Sequence, residues 1–331
     1  MNVLFIICHD ISPRFGCYDD SRAITPNINR LASQGLVFDR HYCHTALCGP
    51  TRANLMTGCR PETTQRWNND SFFPQFRQRL GYVTLPEHFR RHDYQTVSVG
   101  QVMHGNEKDP SSWSVPQWWP GPSQIPAWAP STGSFRHYRN ADSIRVMRER
   151  MEQIRAEGID PVAELKKWRG PAVEAGIPPH EPYDEEHLTD RALQELRRLK
   201  DDGPFFLGVG YETGHLPWCT PQQYFEQYPE GTIELPKRMI LPDGAPPYAK
   251  SVNEPAQYYT TYCYDRPWET TLHQARELIR SHYAAISYFD AQVGRLLDEF
   301  DRLGVGEDTV VVLTTDHGFS LGEHGHFGKL N

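Results

Sequence analysis

The chain has 331 residues, 38% of them hydrophobic and 12% aromatic, and a formal net charge of −8. That length suffices for one large α/β domain or two ordinary ones. The negative charge argues against nucleic acid as the main partner, and no apolar run approaches the roughly 20 residues of a membrane span, so neither nucleic acid nor membrane is an expected partner.

Residues 3–7 form a short apolar run directly after Met1-Asn2. It reads as a buried strand and is too short for a secretory leader. As written, the sequence is expected to be cytoplasmic, or periplasmic or secreted if a leader has been removed. Residues 26–34 have a helical pattern that stops at Gly35. A second helix is expected to begin at Cys48, because Pro50 sits in its first turn, where a missing N–H costs nothing. Residues 85–91 make a short helix and 95–99 a second strand. Residues 184–200 make a long helix, stopped by Gly203-Pro204, and 205–209 a third strand. From 271 to 303, apolar residues at Ile279, Tyr283, Ile286, Phe289, Val293, Leu296, Leu297 and Phe300 recur at helical spacing. Residues 309–314 give the fourth strand. Strands alternating with helices predict a doubly wound, mainly parallel α/β sheet flanked by helices.

Two stretches interrupt this order. Residues 113–130 carry Trp113, Trp118, Trp119 and Trp128 among prolines, and 229–267 are rich in Pro and Tyr. Both are expected to be long loops, at about 105–140 and 229–267, within a single domain spanning 1–331. The tryptophans either stack on sugar faces or anchor their loop on the core. The seven cysteines show no CxxC pair and are expected to be buried free thiols.

Each predicted strand runs into a polar cluster: Cys8-His9-Asp10, Gly100-Gln101-Val102-Met103-His104, Gly210 to His215, and Thr315-Asp316-His317-Gly318. In open α/β sheets ligands bind beyond the carboxyl ends of the strands, so these clusters converge on one crevice. Asp10, Asp316 and His317 read as a metal site for a hard or borderline divalent cation. The helix N-terminus at Cys48 offers unpaired N–H groups to an anion. The Gly-rich run from Asp316 to Lys329 reads as a loop around the site, with Lys329 in reach of an anionic ligand.

The run Cys48-Gly49-Pro50-Thr51-Arg52 resembles the C-x-P-x-R core of the sulfatase family, within the alkaline-phosphatase-like superfamily. The resemblance extends from Asn2 to Lys329 in order and spacing. Gly208 to Tyr211 with His215-Leu216-Pro217, Ser287 to Asp290 with Gln292 to Leu297, and Asp316 to Lys329 look like its iduronate-2-sulfatase branch. The resemblance implies that Cys48 is converted to formylglycine by a maturation enzyme. It implies a divalent metal, calcium first with Mg2+ or Mn2+ as alternatives, held by Asp10, Asp316, His317 and the modified Cys48. It gives Arg52 the hydrated aldehyde to hold, His104 the diol to orient, His215 the sulfate or leaving oxygen, and Lys329 the sulfate oxygens. The implied reaction is hydrolysis of a sulfated saccharide, such as a uronic-acid-containing glycan.

Two positions depart from the family pattern. The first strand ends in His9-Asp10 in place of two acidic residues, which makes His9 a nitrogen ligand and shifts preference toward nitrogen-tolerant metals. Gln101 stands where the family has Lys, so it meets the substrate without positive charge. These departures keep two alternatives open: a phosphonate or phosphate ester hydrolase of the same superfamily, and an inactive glycan-binding relative. The resemblance also implies a smaller C-terminal part beyond the last motif. Residues 1–331 alone are expected to unfold at a lower temperature than an extended chain, and equal midpoints would count against that.

Overall fold

A computed structural model describes residues 1–69, 81–105, 107, 109–120, 137–160, 170–176, 182–249, 253–259 and 270–330. Among the described residues the strands of four or more residues are, in chain order, β1 (Asn2–Cys8), β2 (Gln95–Gly100), β3 (Val173–Gly176), β4 (Phe205–Gly210), β5 (Trp218–Pro221) and β6 (Thr309–Thr315). The helices that position the site are α1 (Pro26–Ser33), α2 (Cys48–Thr57), α3 (Leu85–Arg90), α4 (Ala141–Ala156), α5 (Asp184–Leu199) and α6 (Leu272–Leu303). The central sheet is wholly parallel, in the order β2-β4-β1-β6. The four strands read from the sequence are the four strands of this sheet.

Alternation along β1 builds a core on each face, because successive side chains of a strand point opposite ways. Leu4, Ile6 and Cys8 join a large cluster with Leu188, Ala192 and Leu196 of α5 and Ile286, Phe289 and Val293 of α6. Phe5 and Ile7 join a second cluster with Ala53 and Met56 of α2, and Leu85 and Phe89 of α3 pack against it. Helices therefore cover both faces, as a doubly wound sheet requires. α6 is 32 residues long, opened by a Thr271–Gln274 capping box and closed by Gly304 in the left-handed region.

Register aligns the strand ends. Ile7 pairs with Gly210 of β4 and Thr314 of β6, and Gly100 of β2 pairs with Gly210. Gly210 and Gly100 must lack side chains here: a Cβ at Gly100 would lie 2.2 Å from the Gly210 carbonyl oxygen. The polar clusters that follow the strands thus leave the sheet side by side.

Trp113 is buried in the second core, and Trp118 packs on the first and pairs with Val99. Both anchor the loop, whereas Trp128 lies outside the described residues. Among the described residues, Cys8, Cys17, Cys43, Cys48, Cys59 and Cys219 are free thiols, and Cys263 lies outside them. Of these only Cys8 and Cys48 are buried, and Cys43 is exposed, so the expectation of burial holds for the two that sit at the strand end and the helix start. α4 is an element that apolar periodicity did not reveal. It buries Met147, Met151 and Ile154, a stripe too narrow to stand out among its charged residues. β3 and β5, four residues each, pair in a separate parallel sheet. Within the stretch 229–267, the helix Glu254–Tyr258 forms, and residues 250–252 and 260–267 lie outside the described residues.

Candidate active site and metal centre

Cys48 opens α2 and is 1% exposed. Its helix has no side-chain N-cap, and the N–H of Gly49 is taken instead by Asn69 Oδ1 at 2.8 Å. The sulfur lies 3.3 Å from His317 Nε2, 3.6 Å from Lys329 Nζ and 3.9 Å from Asp10 Oδ1. Burial, and then the Asp10 carboxylate, push the Cys48 thiol well above its ordinary value. An unmodified Cys48 is thus a thiol, not a thiolate, and a weak nucleophile.

Asp10 follows β1 with φ 53°, a left-handed conformation that Asp tolerates better than most residues. The turn aims its N–H at Asp316 Oδ1, 3.0 Å away. Asp10 Oδ2 accepts from Lys329 Nζ at 2.8 Å, and Oδ1 lies 3.2 Å from His317 Nε2. His317 Nδ1 donates to the Gly318 carbonyl at 3.0 Å, which turns Nε2 toward Cys48 and Asp10. A metal-ligating imidazole is ordinarily oriented by such a bond from its far nitrogen.

Arg52, one turn beyond Cys48, is 1% exposed. It donates from Nε to Asp316 Oδ2 at 3.0 Å and to the carbonyls of Gln101, Val102 and Cys8. Burial opposes charge on Asp316, but Arg52, His317 and two backbone N–H groups outweigh it, so its carboxyl is held below the usual range. Arg52 therefore ties the chain at the ends of β1 and β2 to the Asp316 carboxylate. Lys329 is likewise desolvated, yet Asp10 and its neighbours keep it charged, well above the ordinary lysine value.

His9 is 3% exposed, and neither ring nitrogen makes a hydrogen bond. Its Nε2 stands 3.1 Å from Asp316 Oδ2, close enough to share a cation with it. Burial, and then Arg52, hold the imidazole well below the ordinary range, so the ring is neutral. Gly214 allows the approach of the turn after β4: at φ 105°, a Cβ there would fall 1.8 Å from the His9 carbonyl oxygen. His215 consequently packs against His9, with ring centroids 4.7 Å apart and planes inclined by 41°, and its Nδ1 donates to the Leu216 carbonyl at 2.6 Å.

A buried polar nitrogen without a hydrogen bond is costly in an apolar setting and natural beside a cation. One ligand atom from each of His9, Asp10, Cys48, Asp316 and His317 lies within 4.8 Å of the others, and all five residues are buried. Two carboxylates, two imidazoles and position 48 fit a divalent metal. Next to this cluster is a cavity of about 260 Å³ that His9, Cys48, Gln101, His104 and His215 all line. Burial, and then Arg66 and Arg52, push the His104 pKa down to about 3, which leaves a neutral ring at working pH.

A family model for sulfatases matches residues 1–331. The chain belongs to the sulfatase family. It is 33% identical over 343 aligned positions to human iduronate 2-sulfatase, covering 99% of this chain and 56% of that protein. Two solved structures share the fold. One, BT4656 in complex with its substrate D-glucosamine-2-N,6-O-disulfate, superposes with a TM-score of 0.68 at 18% identity over 100% of this chain and 69% of its own. The other, a phosphonate monoester hydrolase of Agrobacterium radiobacter, gives 0.64 at 18% identity over 100% and 65%. The sulfatase chain described here spans just over half the length of the human relative it matches.

The cavity has a second side that the sequence motifs did not announce. Asp184 and Glu185 of α5, Glu212, Thr213 and Thr220 line it as well, with His137. Glu212 was in plain view within the cluster after β4. Asp184 and Glu185 were hidden by a simpler role, since acidic residues at a helix start complement its dipole. Burial, and then Asp184 and Glu212, raise the Glu185 pKa to about 7 from 4.5. The unfolded chain is ionised above pH 4.5 while the folded carboxyl still holds its proton. Stability is therefore lost as pH rises from 4.5 to 7. Glu185→Gln should raise the stability at about pH 8 by about 1–3 kcal/mol and leave it nearly unchanged at about pH 4. Thermal unfolding of both proteins at the two pH values checks this.

Proposed function

We propose that the chain carries the catalytic centre of a formylglycine-dependent sulfatase that hydrolyses a sulfated saccharide. The observation that carries this reading is the gathering of His9, Asp10, Cys48, Asp316 and His317 within 4.8 Å, with Lys329 Nζ 3.6 Å from the Cys48 sulfur. Formylglycine at position 48, made by a maturation enzyme, supplies a hydrated aldehyde as the nucleophile. A divalent cation held by Asp10, Asp316, His317 and His9 supplies charge that offsets the repulsion between an anionic ester and its attacker.

The chain's own residues do the rest. Lys329, kept charged by Asp10, places a positive group against the sulfate oxygens, whereas the start of α2 offers little to an anion, because the Gly49 N–H bonds Asn69 Oδ1, Pro50 has none and the Thr51 N–H bonds the Leu47 carbonyl. Arg52 holds Asp316 in its ionised form and fixes the backbone of Cys8 and Gln101, so its support of position 48 runs through the carboxylate. Neutral His104 orients a hydroxyl by hydrogen bonding and is too weak a base to carry the proton away. His215 is the proton donor for the leaving oxygen, its Nδ1 fixed on Leu216 and its ring braced on His9. Gln101 lines the cavity as a neutral hydrogen-bonding contact. The likeness to iduronate 2-sulfatase favours a uronic acid in the substrate.

The test is turnover by protein matured with a formylglycine-generating enzyme, after mass spectrometry has confirmed the modification at position 48. A panel of aryl sulfate, phosphate diester and phosphonate monoester should show highest kcat/KM on the sulfate. Preference for the phosphonate would move the assignment to the neighbouring hydrolase class, and no turnover at all would leave a glycan-binding protein.

The metal itself is open to a separate measurement. Calcium prefers oxygen donors, whereas Mn2+ accepts imidazole. With His9 in place of a carboxylate, metal-stripped protein should gain more thermal stability from Mn2+ than from the same concentration of Ca2+, because a tighter ligand shifts unfolding further. A larger shift with Ca2+ would remove His9 from the ligand set.

A further inference from the structure

Gly49, the residue after Cys48, is held from two sides by one short segment. Asn69 Oδ1 accepts its N–H at 2.8 Å. Three residues earlier, Arg66 lies against its Cα: a Cβ at Gly49 would fall 2.7 Å from Arg66 Nη2 and 2.9 Å from Nε. The gap between the first turn of α2 and this guanidinium therefore admits no side chain.

The end of an arginine ordinarily swings aside for a methyl group, but this one is pinned. Arg66 is 0% exposed, its Nη1 donates to Glu107 Oε2 at 3.0 Å, and its Nη2 lies 2.5 Å from Oε1. A guanidinium fork on a carboxylate fixes the planes of both groups. Glu107 in turn closes the turn that begins at His104, its N–H bonding the His104 carbonyl at 3.2 Å. After burial, Arg66 is the group that most lowers the His104 pKa, as a cation close to that ring would. Arg66 Nε, meanwhile, makes no hydrogen bond. A buried N–H left unpaired costs stability, and a buried ion pair adds little that an apolar pair of the same size would not. Stability is a poor account of this pair, and placement is a better one.

We propose that Arg66 is a positioning residue: braced by Glu107, it clamps the first turn of α2, and with it the nucleophile at position 48, against the turn that carries His104. The inference rests on position 48 being the nucleophile of the sulfatase reaction. Arg66 is not among the residues that line the cavity, so it acts through Gly49 and Glu107 and not on the substrate.

Three variants of the full chain test it, each matured and metal-loaded. Arg66→Met with Glu107→Leu removes both charges and keeps most of the volume. Arg66→Lys keeps the charge and loses the fork. Gly49→Ala adds the methyl group that the clamp excludes. Each should lower kcat on an aryl sulfate roughly 10- to 100-fold, the scale of a misplacement near 1 Å, with KM within about threefold of wild type. Amide hydrogen exchange in the peptide spanning 47–52 should quicken about tenfold or more in all three, with each still folded by its unfolding midpoint. Should the double variant fail to fold, Gly49→Ala decides, since it touches neither charge. Wild-type kcat in Arg66→Lys would mean that charge alone matters, and a raised KM at unchanged kcat would mean that Arg66 serves substrate binding; either overturns the clamp. So does unchanged exchange, which is read without turnover. Matured wild-type protein that cleaves no sulfate ester, while the exchange differences persist, would sink the sulfatase assignment and leave the clamp standing.

Discussion

Cys48→Ala should abolish sulfate-ester turnover, lowering kcat/KM by about four orders of magnitude or more, the scale seen when a nucleophile is deleted. The same loss is expected for wild-type protein made without the maturation enzyme. Its Cys48 is a buried thiol pushed well above the ordinary range, so it offers almost no thiolate near neutral pH. Cys48→Ser should fail as well. A single hydroxyl can attack sulfur once, but it has no second hydroxyl to expel the sulfate, and the enzyme stops as an ester. The measurement is aryl sulfate hydrolysis by the three proteins, with unfolding midpoints recorded to show that each is folded. Turnover by Cys48→Ala at even a hundredth of the matured rate would remove position 48 from the chemistry.

Asp316→Ala should be the most destabilising substitution at the site. Asp316 supplies the carboxylate that pairs with the Arg52 guanidinium, and both side chains are at most 1% exposed. Removing it leaves a buried, uncompensated cation, which costs roughly 3–5 kcal/mol. It also leaves the N–H groups of Asp10 and His317 without their shared acceptor. The unfolding midpoint should fall by on the order of 10 °C. The double variant Arg52→Met with Asp316→Leu should recover part of that loss, since the uncompensated charge is gone. Recovery stays incomplete because the carbonyls of Cys8, Gln101 and Val102 lose their donor. An Asp316→Ala midpoint equal to that of wild type would mean that water or another group reaches Arg52 once the carboxylate is removed.

Arg52 shows how a residue's role changes when its surroundings are seen. From the C-x-P-x-R spacing it is one turn from Cys48, which suggests direct support of the nucleophile. In the folded chain its guanidinium is taken up by Asp316 and three carbonyls. Its influence on position 48 passes through the charge of Asp316 and the shape of two loops. Lys329 shows the reverse. Its place was legible only as a basic residue late in a Gly-rich segment, yet its Nζ reaches both Asp10 and the Cys48 sulfur.

The sequence by itself determined the four parallel strands, because short apolar runs bounded by helical patterns have few other uses. It also determined which clusters meet, because parallel strands in register end together on one side of the sheet. The clustering of Asp10, Asp316 and His317 at strand ends, and the helix start at Cys48, were legible for the same local reasons, whereas His9 stood out only against the family pattern. The tertiary structure alone decided that both His9 nitrogens lack hydrogen bonds, since pairing depends on what packs around a side chain. It alone decided that Trp113 belongs to the core. It alone brought Asp184 and Glu185, at the start of α5, to the cavity that Glu212 and Thr220 also line. Those residues lie on separate elements with no shared spacing. Only the packing of α5 against the sheet brings them to one cavity, and charge at close range is a property of distance in space.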